Sequence, residues 1–418
     1  MKPYMDTVIE TQKRKFTESS KFQQMLNKVP EVTLLFWIIK VLCTTVGETF
    51  ADFLNVNLNF GLTGTSVVMG VLLIIALVFQ FRSKKYIPSI YWITVVFISV
   101  FGTLVTDNLT DRLGVPLEAS TIFFSIILML TFAMWYWKEK TLSIHSIFTK
   151  RREMFYWLTI LFTFALGTAS GDLIAEGLGL GYLVTGIIVA VVIACVVVAR
   201  RLKLNPVLSF WIIYIMTRPL GASIGDLLSQ PHKYGGLGLG ATTTSFIFLT
   251  GILAVVLYFT FSKKDVIQNA IVEEKEDMEG NGLIWQTVIT VAIFIVVGGS
   301  AYAWRHNALQ AETSKTVSTS LPGQTTKVSP LGDLSSLIKI VEDTKSLVVA
   351  NDLSGAKTRI GDWEYEWDNA QSRLKPMNEA KWTEIDNASD KALRQLRAVN
   401  PDPAGCKSSL DALLVALN

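Results

Sequence analysis

Charge is scarce in this sequence: Asp, Glu, Lys and Arg make up 17% of its 418 residues, while 50% are hydrophobic. Soluble domains carry about a quarter charged residues, so the chain stands apart from them. Cysteine and histidine are rarer still, with three of each. Cys43, Cys195 and Cys406 are too far apart for a metal spacing or a disulfide framework. His145, His232 and His306 stand in no ligand spacing, and soft-metal sites need clusters of Cys, Met or His. No nucleophile triad, phosphate loop, haem motif or dinucleotide fingerprint is present, so the chain is not read as an enzyme and no cofactor is expected. The absence of a basic patch interleaved with aromatics removes nucleic acid as a partner. The net charge of +3 decides nothing by itself.

What is abundant is apolar sequence in long runs. Segments near 32–54, 61–81, 88–109, 119–137, 154–175, 181–199, 206–228, 240–261 and 283–303 each approach or exceed the roughly 18 residues that cross a bilayer. The first is too long for the core of a signal peptide and no small-residue cleavage site follows it, so it reads as a retained span. Pro30, Pro88 and Pro206 stand where proline is tolerated, in a first helical turn.

The connections sort by charge. Those after the second, fourth and sixth spans hold Arg82, Lys84 and Lys85, then Lys138, Lys140, Lys150, Arg151 and Arg152, then Arg200, Arg201 and Lys203. Those after the first, third, fifth and seventh are rich in Gly, Leu and Asn, with few basic residues. The excess of basic residues places the N-terminus and these connections in the cytoplasm, and nine spans then put the C-terminal region outside. The expected organisation is a basic N-terminal segment at 1–29, a transmembrane domain at 30–262, a cytoplasmic polar linker at 263–282 and a ninth transmembrane helix at 283–303. A flexible Ser/Thr-rich stalk at 304–330 and a periplasmic four-helix bundle at 331–418 complete it. Residues 1–30 carry apolar side chains at loosely helical spacing among lysines, which fits either an amphipathic surface helix or a solvated tail.

Within 30–262 one pattern occurs four times: an aromatic residue, Trp, nine residues, Gly, four residues, Asp. It runs through Trp37, Gly47 and Asp52; Trp92, Gly102 and Asp107; Trp157, Gly167 and Asp172; and Trp211, Gly221 and Asp226. The preceding aromatics are Phe36, Tyr91, Tyr156 and Phe210. Each repeat is expected to be a helical hairpin, all four running in the same direction about an axis along the membrane normal. The fold class is therefore an all-α membrane protein of eight pseudo-symmetric spans plus a ninth and a small extracytoplasmic bundle. The motif-bearing helices are expected to line the axis.

The four aspartates fall about 27–30 Å along their helices at 1.5 Å per residue, near the outer interface, at helix C-termini where negative charge is disfavoured. They act either as carboxylates facing a cation path or as repeated caps of the following turn. The residues that break the symmetry are more informative. Glu48 directly follows Gly47, where the other repeats have Thr103, Thr168 and Ala222. Arg218 stands three residues before Gly221, where the others have Thr44, Ser99 and Phe164. Charge inside a membrane is normally partnered, so Arg218 is expected to pair with Glu48 or a motif aspartate as an internal counter-ion. Lys40 is expected to snorkel to the inner interface, and the motif tryptophans to anchor there. The motif glycines read as close helix contacts. Asp111 and Glu176, each four residues beyond a motif aspartate, are expected to extend a negative vestibule. In the bundle, Trp363 and Trp367 sit one turn apart among carboxylates, which is read as core packing.

The tandem hairpins, their G-x4-D ends and their Gly-Leu-rich outer turns resemble a family of bacterial integral membrane proteins known chiefly as a repeat of unknown function and often described only as membrane-anchored. The resemblance covers about residues 30–262 and implies the bacterial inner membrane, with no activity attached. From the residues, the leading expectation is a transporter of a cation, a hard divalent metal such as Mn or a proton-coupled exchange. Glu48, Asp52, Asp107, Asp172 and Asp226 would bind or relay the ion, as ligands if it is a metal. The alternative is a receptor or scaffold whose bundle binds a ligand or a periplasmic protein. Association into homo-oligomers is compatible with either.

Overall fold

The computed structural model describes residues 27–57, 60–113, 115–229, 237–265, 282–319, 329–375, 377–398 and 400–418. The expected surface helix of the N-terminal segment, most of the 263–282 linker and His232 lie outside them. The described residues form 13 helices and no strand. Nine of these helices are long and apolar enough to cross a membrane. They are α1 (Leu34–Asp52), α2 (Gly61–Arg82), α3 (Pro88–Asp107), α4 (Leu117–Glu139), α5 (Lys150–Asp172), α6 (Tyr182–Arg201), α7 (Pro206–Ser229), α8 (Gly240–Ser262) and α9 (Leu283–Thr319). The remaining four are α10 (Ser335–Val349), α11 (Leu353–Leu374), α12 (Glu379–Arg397) and α13 (Pro403–Leu417).

The motif helices α1, α3, α5 and α7 form a closed inner ring, each packed on the next and α7 on α1. Between 56% and 67% of their apolar stretches are buried, against 17% to 28% for α2, α4, α6 and α8, which settles which set lines the centre. Lipid tails are as apolar as leucine, so the helices with Thr, Ser and charge go inside and the purely aliphatic ones face outward.

The expected hairpins are corrected in one respect. The second helix of each repeat packs chiefly on the first helix of the next: α2 on α3, α4 on α5, α6 on α7, and α8 back on α1. A repeat therefore cannot bury its own inner face, and the eight helices close only as a set. The motif glycines carry the ring closure. A Cβ on Gly47 would lie 1.9 Å from Ser99 Oγ, on Gly102 2.7 Å from Phe164 Cβ, on Gly167 2.5 Å from Arg218 Cβ, and on Gly221 1.9 Å from Thr44 Oγ1. Each glycine thus sits on the residue three before the glycine of the following repeat.

Helix α9 lies at the periphery, where Gln286 Oε1 accepts from the Asn205 N–H (2.7 Å) and Arg305 Nε donates to the Leu178 carbonyl (2.9 Å). It continues to Thr319, well into the segment expected to be a flexible stalk. Helices α10 to α13 form a four-helix bundle with its own apolar core. Trp363 and Trp367 stack at 5.4 Å and Trp367 on Trp382 at 3.7 Å, with the indole N–H groups donating to Ser389 and Asp386. Trp363 and Trp367 are core, as read.

Candidate functional site

The ring's inner face follows a spacing of four. Residues 36, 40, 44, 48 and 52 of α1 align with 91, 95, 99, 103 and 107 of α3, with 156, 160, 164, 168 and 172 of α5, and with 210, 214, 218, 222 and 226 of α7. Each step is about 6 Å along a helix, so five layers of four side chains stack between the end carrying the basic connections and the end carrying the motif aspartates.

The first layer is aromatic: Phe36, Tyr91, Tyr156 and Phe210 are all buried, and the Tyr91 and Tyr156 hydroxyls share a hydrogen bond of 2.5 Å. Trp92, Trp157 and Trp211 are buried beside them in the same cluster. This corrects the expectation that the motif tryptophans anchor at the lipid interface; three of the four are core, because each packs on aromatics of neighbouring repeats. The second layer holds Lys40, Val95, Ile160 and Tyr214, all buried. Lys40 does not snorkel. Its Nζ lies 3.8 Å from the centre of the Phe164 ring and 4.2 Å from that of Tyr214, and two aromatic faces compensate part of the charge's lost hydration.

Layers three and four hold the symmetry-breaking residues and bring them together. The Arg218 side chain is 1% exposed and its Nη2 donates to Glu48 Oε2 at 2.5 Å. Nη2 also donates to Thr103 Oγ1, Nε to Thr168 Oγ1 at 3.0 Å and Nη1 to the Thr44 carbonyl at 2.9 Å. The guanidinium from the fourth repeat therefore meets all three other repeats, and Glu48, Thr103 and Thr168 are the same motif position in each. The fourth occupant of that layer is Ala222, the smallest, which leaves the room. The Thr103 and Thr168 hydroxyls give their protons to the Ser99 and Phe164 carbonyls, both at 3.1 Å, so their lone pairs are left for the arginine. Pro219, which the motif does not include, sits inside α7 next to Arg218 and packs on Gly167 and Gly171. Proline has no N–H, so α7 lacks one backbone bond there, a departure that membrane helices accommodate where neighbours pack tightly.

The fifth layer is the four aspartates. Asp52, Asp107 and Asp172 are each the last residue of an α-helix, and each is followed by a five-residue π turn: Phe53–Asn57, Asn108–Arg112 and Leu173–Gly177. π turns are rare and concentrate at functional sites. The Asp107 and Asp172 side chains make no N-cap hydrogen bond to these π segments. Asp52 is exposed and Asp107, Asp172 and Asp226 are half-buried. Asp172 is within electrostatic range of Glu48, Asp107, Glu176 and Arg218, and Asp226 of Glu48, Asp52, Glu176 and Arg218. Glu176 lies in the third π turn, accepts from the Tyr182 hydroxyl at 2.7 Å and is within electrostatic range of Asp172 and Asp226; Asp111 is placed by its backbone in the second π turn. Glu48 keeps 15% exposure of its side chain and lies within electrostatic range of Asp52, Asp172 and Asp226. Among the described residues no three His, Cys, Asp or Glu side chains converge in a metal-holding cluster.

Helix α12 packs on the π turns that follow α1 and α3, and α11 on the one that follows α5. The bidentate Arg397–Glu364 pair of the bundle lies in the electrostatic neighbourhood of Asp52. At the opposite end Lys28 pairs with Glu153 at 2.6 Å, and Gln80 donates to the same carboxylate. Nearby, Tyr86 donates to Asp265 Oδ2 at 2.6 Å.

Burial pushes the Asp265 carboxyl above its ordinary range, and the Tyr86 hydrogen bond offsets part of that. A folded-state value above the unfolded one, about 3.9, contributes stability that is complete below the unfolded value and lost as pH rises through the folded one. Asp265→Asn is expected to melt higher than the parent at neutral pH, with the advantage vanishing in acid. Unfolding followed by tryptophan fluorescence in detergent across a pH series checks this, and parallel profiles would refute it.

Fold and site together define a multi-pass helical membrane protein built of four tandem repeats around a polar axis. It belongs to the family described as Repeat of Unknown Function (DUF347), whose model matches at residues 35–86, 90–141, 155–203 and 209–265. Comparison with curated proteins and with solved structures finds no match.

Proposed function

We propose that the protein is a transporter that carries a cation along this axis across the bacterial inner membrane. In this reading the N-terminus and basic connections are cytoplasmic, and the bundle is periplasmic, above the carboxylate vestibule. The observation that carries the proposal is the buried Arg218–Glu48 pair at the floor of that vestibule. A buried ionisable pair in a membrane bundle is costly, and such pairs mark ion pathways. A fixed guanidinium on the axis opposes free passage of a cation, which favours a transporter over an open channel. A cation arriving among Asp52, Asp107, Asp172 and Asp226 competes with Arg218 for Glu48, and breaking that pair is the coupling step. The scattered geometry of the carboxylates favours a proton-coupled exchange over a resident metal, with a hard divalent ion such as Mn entering as cargo.

The test is flux in liposomes containing the full chain, read with a pH dye and with a panel of monovalent and divalent cations. Flux is expected for the parent, and a loss of about tenfold or more for Asp52→Asn and Asp172→Asn, the scale of a lost proton-transfer group. No flux for any ion from stable protein defeats the reading. It would favour a receptor or scaffold role, for which the separately cored bundle is the supporting feature.

A further inference from the structure

The basic half of the axis is crossed by hydroxyl groups that neither helix packing nor the Arg218–Glu48 pair requires. Tyr91 and Tyr156 share their 2.5 Å hydrogen bond in the middle of the aromatic layer. On one side of them lies Tyr86, whose ring is 5.6 Å from that of Tyr91 and whose hydroxyl donates to Asp265. On the other side lies Tyr214, within electrostatic range of both Tyr91 and Tyr156, with Lys40 over its ring at 4.2 Å. Phenylalanine would fill these ring positions equally well, as it does at Phe36 and Phe210.

Buried polar atoms are normally hydrogen-bonded, and an orphan calls for an explanation. Buried polar atoms without a partner mark both ends of this chain, Asp265 Oδ1 and the Tyr214 hydroxyl, and Trp92 Nε1 adjoins the Tyr86 hydroxyl. Direct hydrogen bonds join Asp265 to Tyr86 and Tyr91 to Tyr156. A bridging water, the usual partner of buried polar groups, would carry the chain from Tyr86 to Tyr91 and from Tyr156 to Tyr214.

We propose that Asp265, Tyr86, Tyr91, Tyr156 and Tyr214 form a proton path joining the basic face of the protein to Lys40 on the axis. In each step an oxygen accepts a proton on its lone pair as it gives its own to the next, so no tyrosinate accumulates. The net change is one proton moved from the Lys40 ammonium to the Asp265 carboxylate, leaving an amine and a carboxylic acid, or the reverse. The path rests on the reading of the protein as proton-coupled and supplies the half of the route that the carboxylate vestibule does not reach.

The test uses the full chain in liposomes, with proton uptake driven by a membrane potential and read by an internal pH dye. Tyr156→Phe and Tyr86→Phe each keep the ring and are expected to slow uptake by about tenfold or more at unchanged melting temperature. Tyr86 lies outside the apolar spans, so it carries the result if Tyr156→Phe fails to fold. Parent uptake with both variants within about twofold overturns the path and leaves the transport reading standing. If the parent moves no proton, the transport reading falls, and deuterium exchange of the tyrosine C–OH infrared bands judges the path. Fast exchange in the folded parent that slows in Tyr86→Phe upholds it; exchange only on unfolding overturns it.

Discussion

Glu48→Leu is expected to destabilise the protein by about 3–5 kcal/mol, the scale of removing one partner from a buried ion pair. The Arg218 side chain is 1% exposed and carries its guanidinium into the packed ring. Without Glu48, its remaining contacts are two threonine hydroxyls and one backbone carbonyl, which orient the guanidinium but do not neutralise it. Arg218→Met is expected to cost a comparable amount, since it exposes the vestibule carboxylates to one another and leaves Glu48 without its cation. The double variant Glu48→Leu/Arg218→Met should lose far less than the sum, because replacing both members of a buried pair with apolar side chains is often near neutral. Thermal unfolding of the four proteins in one detergent forms the cycle. Additive losses would show that Arg218 and Glu48 act independently and that the axis is not organised by their pairing. The double variant should also lose all flux while remaining folded, which separates function from stability.

Gly102→Ala and Gly167→Ala are expected to be the next most damaging single changes, at about 1–3 kcal/mol or more each. The added Cβ would meet Phe164 Cβ at 2.7 Å and Arg218 Cβ at 2.5 Å. A Cβ cannot rotate away, so the helices themselves must separate. At Gly167 that separation also moves the guanidinium relative to Glu48. Gly251→Ala is the control, because its Cβ would meet Leu42 Cδ1 at an ordinary 3.6 Å. Melting temperatures compared across the three decide the matter; equal effects at Gly251 and Gly167 would mean that the ring tolerates expansion.

The repeat was fully legible as sequence. Trp, Gly and Asp at constant spacing identified four equivalent helices, their internal position, and Arg218 and Glu48 as the exceptions worth pairing. The deeper periodicity is not legible in the sequence because the layers have no common chemistry. Lys40, Val95, Ile160 and Tyr214 occupy one layer, and nothing in their side chains suggests equivalence until the helices are set side by side. The place of Lys40 is hidden for the same reason: a lysine a few residues into a span is normally able to reach the interface. Here Phe164 and Tyr214, from two other repeats, offer its ammonium an aromatic seat instead. The π turns had no signature either, since each begins at an aspartate that serves equally well as a helix end.

Sequence alone determined that this is a multi-pass helical membrane protein with fourfold internal repetition, because span length and motif spacing are local properties imposed by the bilayer and the helix. Tertiary structure decided how the repeats close. It seats the second helix of each repeat on the next, so that all four are needed before any inner face is buried. It also decided that one arginine would face one glutamate and two threonines across the ring. That convergence depends on helix–helix contact between repeats up to about 170 residues apart, which local spacing does not encode.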